Sequence, residues 1–317
     1  MGWWPPRGDH PPRRAGGVLV VDKPAGMTSH DVVAWARRAL GVRRIGHVGT
    51  LDPLATGVLP LVVGRATRLA TLLTGGSKTY RAVIRLGLET DTYDATGTPQ
   101  PAPPGAEERA RSLDRDAADA ACRRFTGVLQ QRPPAYSAKK VGGVRAYRLA
   151  RRQQPVDLRP VEVTVHSFDV IGLQDGRLDC RVSCSPGFYM RTLAHDLGRE
   201  LDCGGCLEEL RRERSGPFSL DSAVDLQAGA TGDRPLQEQM IPLADLLPEL
   251  PAVVVTPLGA QRASHGNLLK PGDIDVGASR LPGSGTGNVK VYDAGGSLLA
   301  IAALEAGGAL HPRIVLV

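Results

Sequence analysis

One carboxylate stands alone in a strongly basic part of the chain. Between residues 32 and 88 there are nine Lys or Arg residues and a single acid, Asp52. If this surface binds phosphates, a carboxylate within it repels the ligand and weakens binding. Asp52 is therefore either a cap or ion-pair partner, both of which are common, or a group that takes part in chemistry.

The residues around Asp52 favour a site that approaches a ligand closely. The segment 46–57 reads GHVGTLDPLATG, and its glycines let the backbone come near a bound molecule. Pro53 restrains Asp52 to an extended conformation. A carboxylate can act as nucleophile or as base, and at an anomeric carbon it can form a covalent sugar–enzyme intermediate. Glycosidases use a pair of carboxylates, whereas a reaction that detaches and reattaches a base without consuming water does not require the pair.

A second basic cluster lies at residues 139–159, where seven Lys or Arg residues accompany one acid, Asp157. A helix predicted over 147–154 would place Arg148, Arg151 and Arg152 close together on one face. The net charge of +6 is weak support for a polyanionic partner, because many proteins are mildly basic. The distribution of the charge is more informative than its sum.

The elements that must position Asp52 follow from apolar patterning. Short β-branched and apolar runs predict strands, and capping residues predict the ends of helices. Ser29 is the predicted N-cap of a helix that runs to Leu40 and is ended by Gly41. The remaining predicted elements are strands over 18–22, 58–63 and 79–88, a loop over 44–57, and a helix over 66–73.

The second half of the chain mixes strands and helices without a regular βαβ repeat. The predicted elements are a helix over 114–125, an antiparallel pair of strands over 161–171 and 177–184, and a helix over 189–201. This order favours an α+β fold around a mixed or mainly antiparallel sheet. Short β-rich runs separated by Gly-rich turns after residue 250 predict a small C-terminal β-barrel.

Composition bears on the cellular setting. The five cysteines are an odd number and favour a reducing compartment over a disulfide framework. The pair Cys203 and Cys206 stands without a second pair at zinc-finger spacing, so we predict no metal site. Residues 1–16 lack the apolar core of a secretory signal, and no apolar run approaches the ~20 residues of a membrane span. We predict a flexible, weakly basic tail at 1–16 and a cytoplasmic protein with no membrane association.

Several motifs resemble those of one enzyme family. Residues 46–60, GHVGTLDPLATGVLP, closely resemble the catalytic motif of the TruB family of pseudouridine synthases. Further resemblances occur in the family's order at residues 17–28 (GVLVVDKPAGMT), 78–80 (KTY), 86–97 (LGLETDTYDATG), 133–139 (PPAYSAK) and 185–192 (SPGFYMRT). The Gly-rich C-terminal segment is similar, more weakly, to the family's PUA-like RNA-binding domain.

The resemblance implies an activity and a domain organisation. Members of the family isomerise uridine 55 in the T loop of tRNA to pseudouridine, with neither cofactor nor metal. It implies a pseudouridine-synthase-like sheet flanked by helices in a catalytic domain over 17–250. An RNA-binding insertion at about 126–160 would close over the T stem-loop, and a PUA-like domain would occupy 251–317. It also implies a monomer that works without an obligate protein partner.

The resemblance further assigns roles to individual residues. Asp52 is the essential carboxylate, and Arg191 pairs with it. The predicted substrate-binding residues are Tyr80, which stacks on the target base, Tyr189 and Leu210, which line the pocket, His47, which fills the gap left by the flipped nucleotide, and Lys23, which supports the loop or contacts phosphate. Without the resemblance, the residues favour a core strand tyrosine at Tyr80. Tyr189 is then nearly as typical of a core tyrosine as of a pocket residue, and Arg191 is typical of an ordinary first-turn helix arginine.

Two other functions are compatible with part of this pattern. A guide-RNA-dependent relative that works inside a ribonucleoprotein would share the fold, although residues 54–60, LATGVLP, are typical of the bacterial enzymes. A non-enzymatic RNA-binding protein would not need Asp52. A phosphate-loop nucleotide enzyme is disfavoured, because Ser77 separates the Gly pair from Lys78 and breaks the required motif.

Overall fold

The structure, a computed structural model, describes residues 16–137, 139–226, 234–275, 277, 287–305 and 307–317. The predicted tail over 1–16 lies outside the described residues except for Gly16. The strands are β1 (Gly17–Lys23), β2 (Ile45–His47), β3 (Thr56–Val63), β4 (Lys78–Leu86), β5 (Glu89–Thr90), β6 (Pro99–Gln100), β7 (Gly127–Gln131), β8 (Lys140–Val141), β9 (Val144–Arg145), β10 (Val161–Gln174), β11 (Arg177–Cys184), β12 (Gly205–Ser215), β13 (Phe218–Ser219), β14 (Val224–Asp225), β15 (Ile241–Pro242), β16 (Ala252–Val254), β17 (Asn288–Tyr292), β18 (Leu298–Leu304) and β19 (Leu310–Val315). The α-helices are α1 (Ser29–Leu40), α2 (Ala70–Thr74), α3 (Ala106–Ser112), α4 (Arg115–Arg124), α5 (Ala146–Ala150), α6 (Met190–Glu200) and α7 (Pro257–Ser264).

A large mixed sheet forms the centre of the molecule. Its main path runs β14-β1-β3-β12-β4-β11-β10-β7, and β2, β13 and β15 pair at its side to give eleven strands. The pairs β1–β14 and β3–β12 are parallel, whereas the pairs along the rest of the path are antiparallel. The predicted α+β fold with a mixed, mainly antiparallel sheet is therefore confirmed.

The first five residues of β1, 17–21, are apolar without interruption because both faces of the strand are buried there. Leu19 and Val21 belong to the core cluster that contains residues of α1 and α6. Val18 and Val20 point to the opposite face and pack in a second cluster, together with residues of β18. Successive side chains of a strand point to opposite faces, so a strand between two cores has no polar position.

Strand β4 shows the alternating pattern of a sheet with one solvated face. Tyr80, Ala82 and Ile84 are buried in the first core cluster, whereas Arg81 on the other face forms an ion pair with Asp179 of β11, with 2.7 Å between Nη2 and Oδ2. Part of the basic charge between residues 32 and 88 is thus neutralised by acids that lie far away in sequence.

The start of helix α1 differs from its prediction. The N-cap is Thr28, whose hydroxyl accepts from the Asp31 N–H at 3.1 Å, while the Thr28 N–H donates to Asp31 Oδ2 at 2.8 Å. Ser29 is the first helical residue, and its hydroxyl bonds to Leu51 instead. Gly41 ends the helix as predicted, with a positive φ of 64°.

Other predicted boundaries are corrected by tertiary pairing. Within the predicted loop 44–57, residues Ile45–His47 form β2 along β3. The predicted helix 66–73 is a 3-10 segment, Gly64–Leu69, followed by α2. The predicted helix 147–154 is shorter, Ala146–Ala150, and it is followed by a turn in which Gln153 has a positive φ of 54°. Strand β12 has no counterpart among the predicted elements.

The C-terminal segment forms a four-stranded sheet in the order β16-β17-β18-β19. Short strands separated by turns follow residue 250 as predicted, but no pairing joins β19 to β16 within the described residues, so a closed barrel is not confirmed. Leu298 and Ile301 of β18 pack against Val18 and Val62 of the large sheet. In the described part of the chain no helix is long and apolar enough to cross a membrane.

Candidate active site

The loop that carries Asp52 is held by α1 and by the turn after β1. Ser29 Oγ accepts from the Leu51 N–H at 2.9 Å and donates to the Leu51 carbonyl at 3.1 Å. The Gly26 N–H donates to the Pro53 carbonyl at 2.8 Å. The residues on both sides of Asp52 are therefore fixed by partners more than twenty positions away in sequence. This fixes the backbone from which the Asp52 side chain extends.

Lys23 lies beneath this loop with none of its surface exposed. Its Nζ donates to the carbonyls of Pro24, Met27 and Pro53 at 2.8, 2.7 and 3.2 Å. Burial lowers its pKa to about 8, against the opposing effect of the Asp52 charge. The structure thus places the predicted Lys23 as a support of the loop, where all three donors of the ammonium are used by backbone oxygens.

Arg212 of β12 supports the same loop from the sheet, although sequence reasoning did not find it. The side chain is fully buried, and it donates through Nε to the Val58 carbonyl at 2.7 Å and through Nη2 to the Gly49 carbonyl at 2.9 Å. A buried guanidinium is tolerated when its N–H groups are hydrogen-bonded. Gly49 precedes Asp52 and Val58 follows it, so Arg212 holds both ends of the Asp52 loop by hydrogen bonds.

The predicted pair of Asp52 and Arg191 is present. Arg191 Nε lies 2.9 Å from Asp52 Oδ2 as an ion pair, and Nη2 donates to Oδ1 at 3.3 Å. The Asp52 side chain is 37% exposed and that of Arg191 only 6%. The carboxylate is therefore oriented from the protein side and remains accessible from the solvent side, as a group that meets an incoming substrate must be.

Arg191 is itself held by three further groups. Its Nη1 donates to the Thr92 carbonyl at 3.1 Å and its Nη2 to the Tyr136 carbonyl at 2.8 Å. Asp94, a buried acid, lies 3.6 Å from Nη1. A planar guanidinium offers donors in fixed directions, so these partners determine which edge of Arg191 faces Asp52.

The segment that supplies Thr92 and Asp94 has an unusual conformation between them. Tyr93 adopts a positive φ of 63°, and its ring stacks on that of His195 with 4.0 Å between centroids and 11° between planes. A non-glycine residue in the left-handed region costs free energy. The stack against α6 offsets that cost and holds this turn in place.

Tyr80 and Leu210 lie on the paired strands β4 and β12. Tyr80 is 6% and Leu210 7% exposed, and both belong to the core cluster that includes Leu51, the neighbour of Asp52. Burial raises the pKa of the Tyr80 hydroxyl, against the opposing effect of the nearby Arg212 charge. The phenol therefore stays protonated near neutral pH.

Tyr189 and His47 occupy two sides of the site. Tyr189 immediately precedes α6, and burial raises its pKa, with the charges of Arg191 and Asp52 close enough to contribute. His47 bonds through Nε2 to Thr50 Oγ1 at 3.1 Å and meets the His30 ring edge-on at 6.1 Å. Burial lowers the pKa of His47, and the nearby charges that act on it are His30, Arg212 and Arg145.

The arrangement provides one accessible carboxylate whose orientation is fixed by Arg191. Such a group can add to an electrophilic carbon or accept a proton. Within the described residues no group of three or more His, Cys, Asp or Glu side chains is placed to hold a metal ion. Among the other predicted residues, Lys23, Tyr80 and Tyr189 lie near enough for the Asp52 charge to act on their pKa values.

Comparison with protein families gives matches along most of the chain. Residues 37–190 match the model described as TruB family pseudouridylate synthase (N terminal domain). Residues 191–247 match the model described as tRNA pseudouridylate synthase B C-terminal domain. The first match contains Asp52 and the second begins at Arg191, so the ion pair joins the two matched segments.

Curated proteins and solved structures are similar over nearly the whole chain. The tRNA pseudouridine synthase B of Solibacter usitatus is 41% identical over 95% of this chain and 99% of its own length, and that of Thermobifida fusca is 46% identical over 81% and 87%. A chain from the structure of an H/ACA RNP bound to a substrate RNA containing 2'-deoxyuridine has a TM-score of 0.71 at 24% identity and covers 100% of this chain and 91% of its own. That last likeness concerns the fold alone. With the two family matches and these identities, the chain belongs to the TruB family of pseudouridine synthases.

Proposed function

We propose that this chain is a tRNA pseudouridine synthase that isomerises uridine 55 in the T loop to pseudouridine. The observation that carries the proposal is the partly exposed Asp52 carboxylate, ion-paired with the buried Arg191, in a loop that lies within the matched TruB segment. Relatives at 41% and 46% identity bear the name tRNA pseudouridine synthase B.

The reaction is an isomerisation, so atoms and electrons balance within the nucleotide. The bond between C1' of the ribose and N1 of uracil breaks, the base turns, and C5 bonds to C1'. The proton on C5 is then lost, and N1 carries a proton in the product. One carboxylate is sufficient, because no water enters and no group leaves.

Two roles of Asp52 are compatible with its position. Asp52 can add to C1' and hold the sugar covalently while uracil turns, or it can remove the proton from C2' to give a glycal. A primary isotope effect from deuterium at C2' would favour proton removal. Trapping of a sugar ester on Asp52 would favour addition.

The other site residues bind the substrate in this proposal. A base in a folded loop must be extruded before it can react. Tyr80 stacks on the extruded uracil, Tyr189 and Leu210 line its pocket, and His47 occupies the gap that the base leaves. Burial lowers the pKa of His47, which favours the uncharged ring that fits between stacked bases. Lys23 holds the loop from beneath through three carbonyls.

Two parts of the chain bind the RNA backbone in this proposal. The insertion at about 126–160 exposes Arg148, Arg151 and Arg152, and cations of this kind contact phosphates without reading sequence. The segment 251–317 acts as a PUA-like RNA-binding domain next to the catalytic domain, 17–250. We propose that the protein works as a cytoplasmic monomer, without a metal, a cofactor or an obligate protein partner.

Nucleotide-resolution mapping of pseudouridine tests the proposal directly. An unmodified tRNA transcript is incubated with the purified wild-type chain and with Asp52→Asn, which keeps the size of the side chain and removes its charge. We expect product at position 55 with the wild type alone. Product with both proteins would refute the role of Asp52, and product at another position would refute the substrate.

The same experiment separates the two alternatives. A guide-RNA-dependent enzyme would leave the transcript unchanged until a guide RNA and partner proteins were added. A non-enzymatic RNA-binding protein would bind the transcript equally well as wild type and as Asp52→Asn, and would give product with neither.

A further inference from the structure

Gln131 makes an unusual contact with the backbone that precedes α6. It is the last residue of β7, and it is only 5% exposed. Its Oε1 accepts from the Tyr189 N–H at 2.8 Å, and its Nε2 donates to the Tyr189 carbonyl at 3.0 Å. One primary amide thus satisfies both backbone groups of one residue, as a neighbouring β-strand would.

Tyr189, to which Gln131 is hydrogen-bonded, is the N-cap of α6, the helix that carries Arg191. The side chain of Tyr189 makes no capping hydrogen bond in the described part of the chain. The Tyr189 carbonyl accepts the first helical bond, from the Leu193 N–H at 3.1 Å. The start of α6 is therefore fixed from outside the helix, by the Gln131 amide, and Arg191 follows only two residues later.

The chain that continues from Gln131 follows the first turn of α6 closely. Thr192 Oγ1 donates to the Arg132 carbonyl at 3.2 Å, and Arg191 Nη2 donates to the Tyr136 carbonyl at 2.8 Å. Residues 131–136 thus bond to three residues at the start of α6, namely Tyr189, Arg191 and Thr192. This segment is part of the insertion, about 126–160, that we propose to bind RNA.

We infer that Gln131 is a positioning residue for the reaction: its amide fixes Tyr189 and the first turn of α6, and through them the place of Arg191 against Asp52. The inference rests on the proposed function. Without the amide, the part-buried Tyr189 N–H loses its partner, and the Tyr189 carbonyl keeps only its helical bond from Leu193. The first turn of α6 is then free to shift at the end that holds Arg191. A displacement of about 1 Å of a group at the reacting centre can cost roughly a hundredfold in rate.

The test compares Gln131→Met with Gln174→Met. Methionine matches glutamine in length and removes both hydrogen-bonding groups. Gln174 is, like Gln131, the last residue of its strand, but it is exposed and lies outside the insertion and the site. We expect kcat for pseudouridine formation to fall by about tenfold to a hundredfold in Gln131→Met, with KM for tRNA changed by less than about threefold. Gln174→Met should match the wild type in both constants.

A second variant and a double mutant separate positioning from a general loss of stability. Gln131→Asn keeps the amide but withdraws it by one methylene. It replaces Gln131→Met in the test if that variant folds poorly, and it should also lower kcat. Rates are measured per folded molecule, well below the unfolding temperature. In an Arg191→Lys background, Gln131→Met should lower kcat much less than in the wild type, because both changes act on the same contact with Asp52.

Several results would overturn the inference. Equal kcat per folded molecule in Gln131→Met and wild type, with only a lower Tm, would make Gln131 a purely structural residue. An additive double mutant would show that it does not act through Arg191. If the wild type and Gln174→Met give no pseudouridine in any tRNA, the proposed function fails first, which is a distinct outcome.

Discussion

The backbone of Gly57 approaches that of Arg212 so closely that a Cβ on Gly57 would lie 2.2 Å from the Arg212 carbonyl oxygen. The two residues are register partners in the parallel pair of β3 and β12. Gly57 also has a positive φ of 98°. The loop that carries Asp52 thus enters β3 through a point where only glycine fits.

Gly57→Ala should therefore destabilise the protein strongly. The added methyl group meets backbone atoms that cannot move without opening the sheet, and overpacking of this kind costs about 1–3 kcal/mol beyond the conformational cost of the left-handed region. Gly26→Ala is the matched control, because Gly26 has a φ of 82° and no heavy atom lies within 4 Å of the place that an added Cβ would take. The free energy of unfolding from denaturant titration should fall clearly further for Gly57→Ala, and equal losses would contradict the steric argument.

Arg191→Lys should reduce activity although it preserves the charge. A lysine ammonium cannot reproduce the planar fork that meets Asp52, the Thr92 carbonyl and the Tyr136 carbonyl at once. Loss of charge-assisted hydrogen bonds worth about 2–3 kcal/mol corresponds to a decrease of roughly a hundredfold in kcat/KM.

Arg199→Lys serves as the control for Arg191→Lys, since Arg199 is exposed in the last turn of the same helix. Its kcat/KM should equal that of the wild type. Full activity of Arg191→Lys would mean that the charge alone, without the directed hydrogen bonds, suffices to orient Asp52.

The buried Lys23 predicts an alkaline change in stability. Its pKa is lowered by burial from 10.5 to about 8 in the folded protein. Between these values the unfolded chain binds the proton and the folded chain does not, so stability rises with pH in this window. The rise due to Lys23 is at most about 3 kcal/mol.

The rise of stability with pH is tested by measuring the unfolding free energies of wild type and Lys23→Met from about pH 7.5 to about pH 10.5. The methionine variant loses three hydrogen bonds and is less stable throughout. Its unfolding free energy also lacks the increase with pH that Lys23 contributes. The difference between the two curves should therefore widen with pH, because other titrating groups are common to both proteins. Parallel curves would show that Lys23 titrates normally.

The stacked pair of Tyr93 and His195 should stabilise the turn that holds Arg191. Removal of the ring in His195→Ala costs about 1 kcal/mol, the typical value of an aromatic pair, and loosens the segment that supplies the Thr92 carbonyl. His195→Phe keeps a ring for stacking and should retain most of the stability. Thermal unfolding together with kcat/KM measures both effects. A phenylalanine variant as impaired as the alanine variant would indicate that His195 acts through its nitrogen atoms.

Local patterns in the sequence were sufficient for the Asp52 loop and several elements. The acid stood out because its neighbours are basic and glycine-rich, and β1, α1, β10 and β11 were found from apolar runs and capping residues. These features depend on residues close together in the chain, so short-range rules describe them. The exact N-cap of α1 was missed because Thr28 and Ser29 have equivalent hydroxyls, and only the distant Leu51 distinguishes them.

Strand β12 could not be found from local pattern. Its last eight residues, 208–215, read EELRRERS, which is typical of a solvated surface. The strand nevertheless lies between β3 and β4 and buries Arg212 completely. Residues on its outer face form ion pairs with β11, such as Glu213 with Arg181 at 2.9 Å. The partners of these charges lie some thirty residues or more away.

The amino-acid sequence by itself determined the candidate carboxylate, the family resemblance and much of the secondary structure. Only the tertiary structure decided how that carboxylate and its loop are held. It added Arg212, which the sequence did not single out, and it set the directions from which Arg191 and Lys23 reach the loop. The physical reason is that a buried charge is stable only where oxygens from distant segments converge on it, and such convergence is a property of the folded chain.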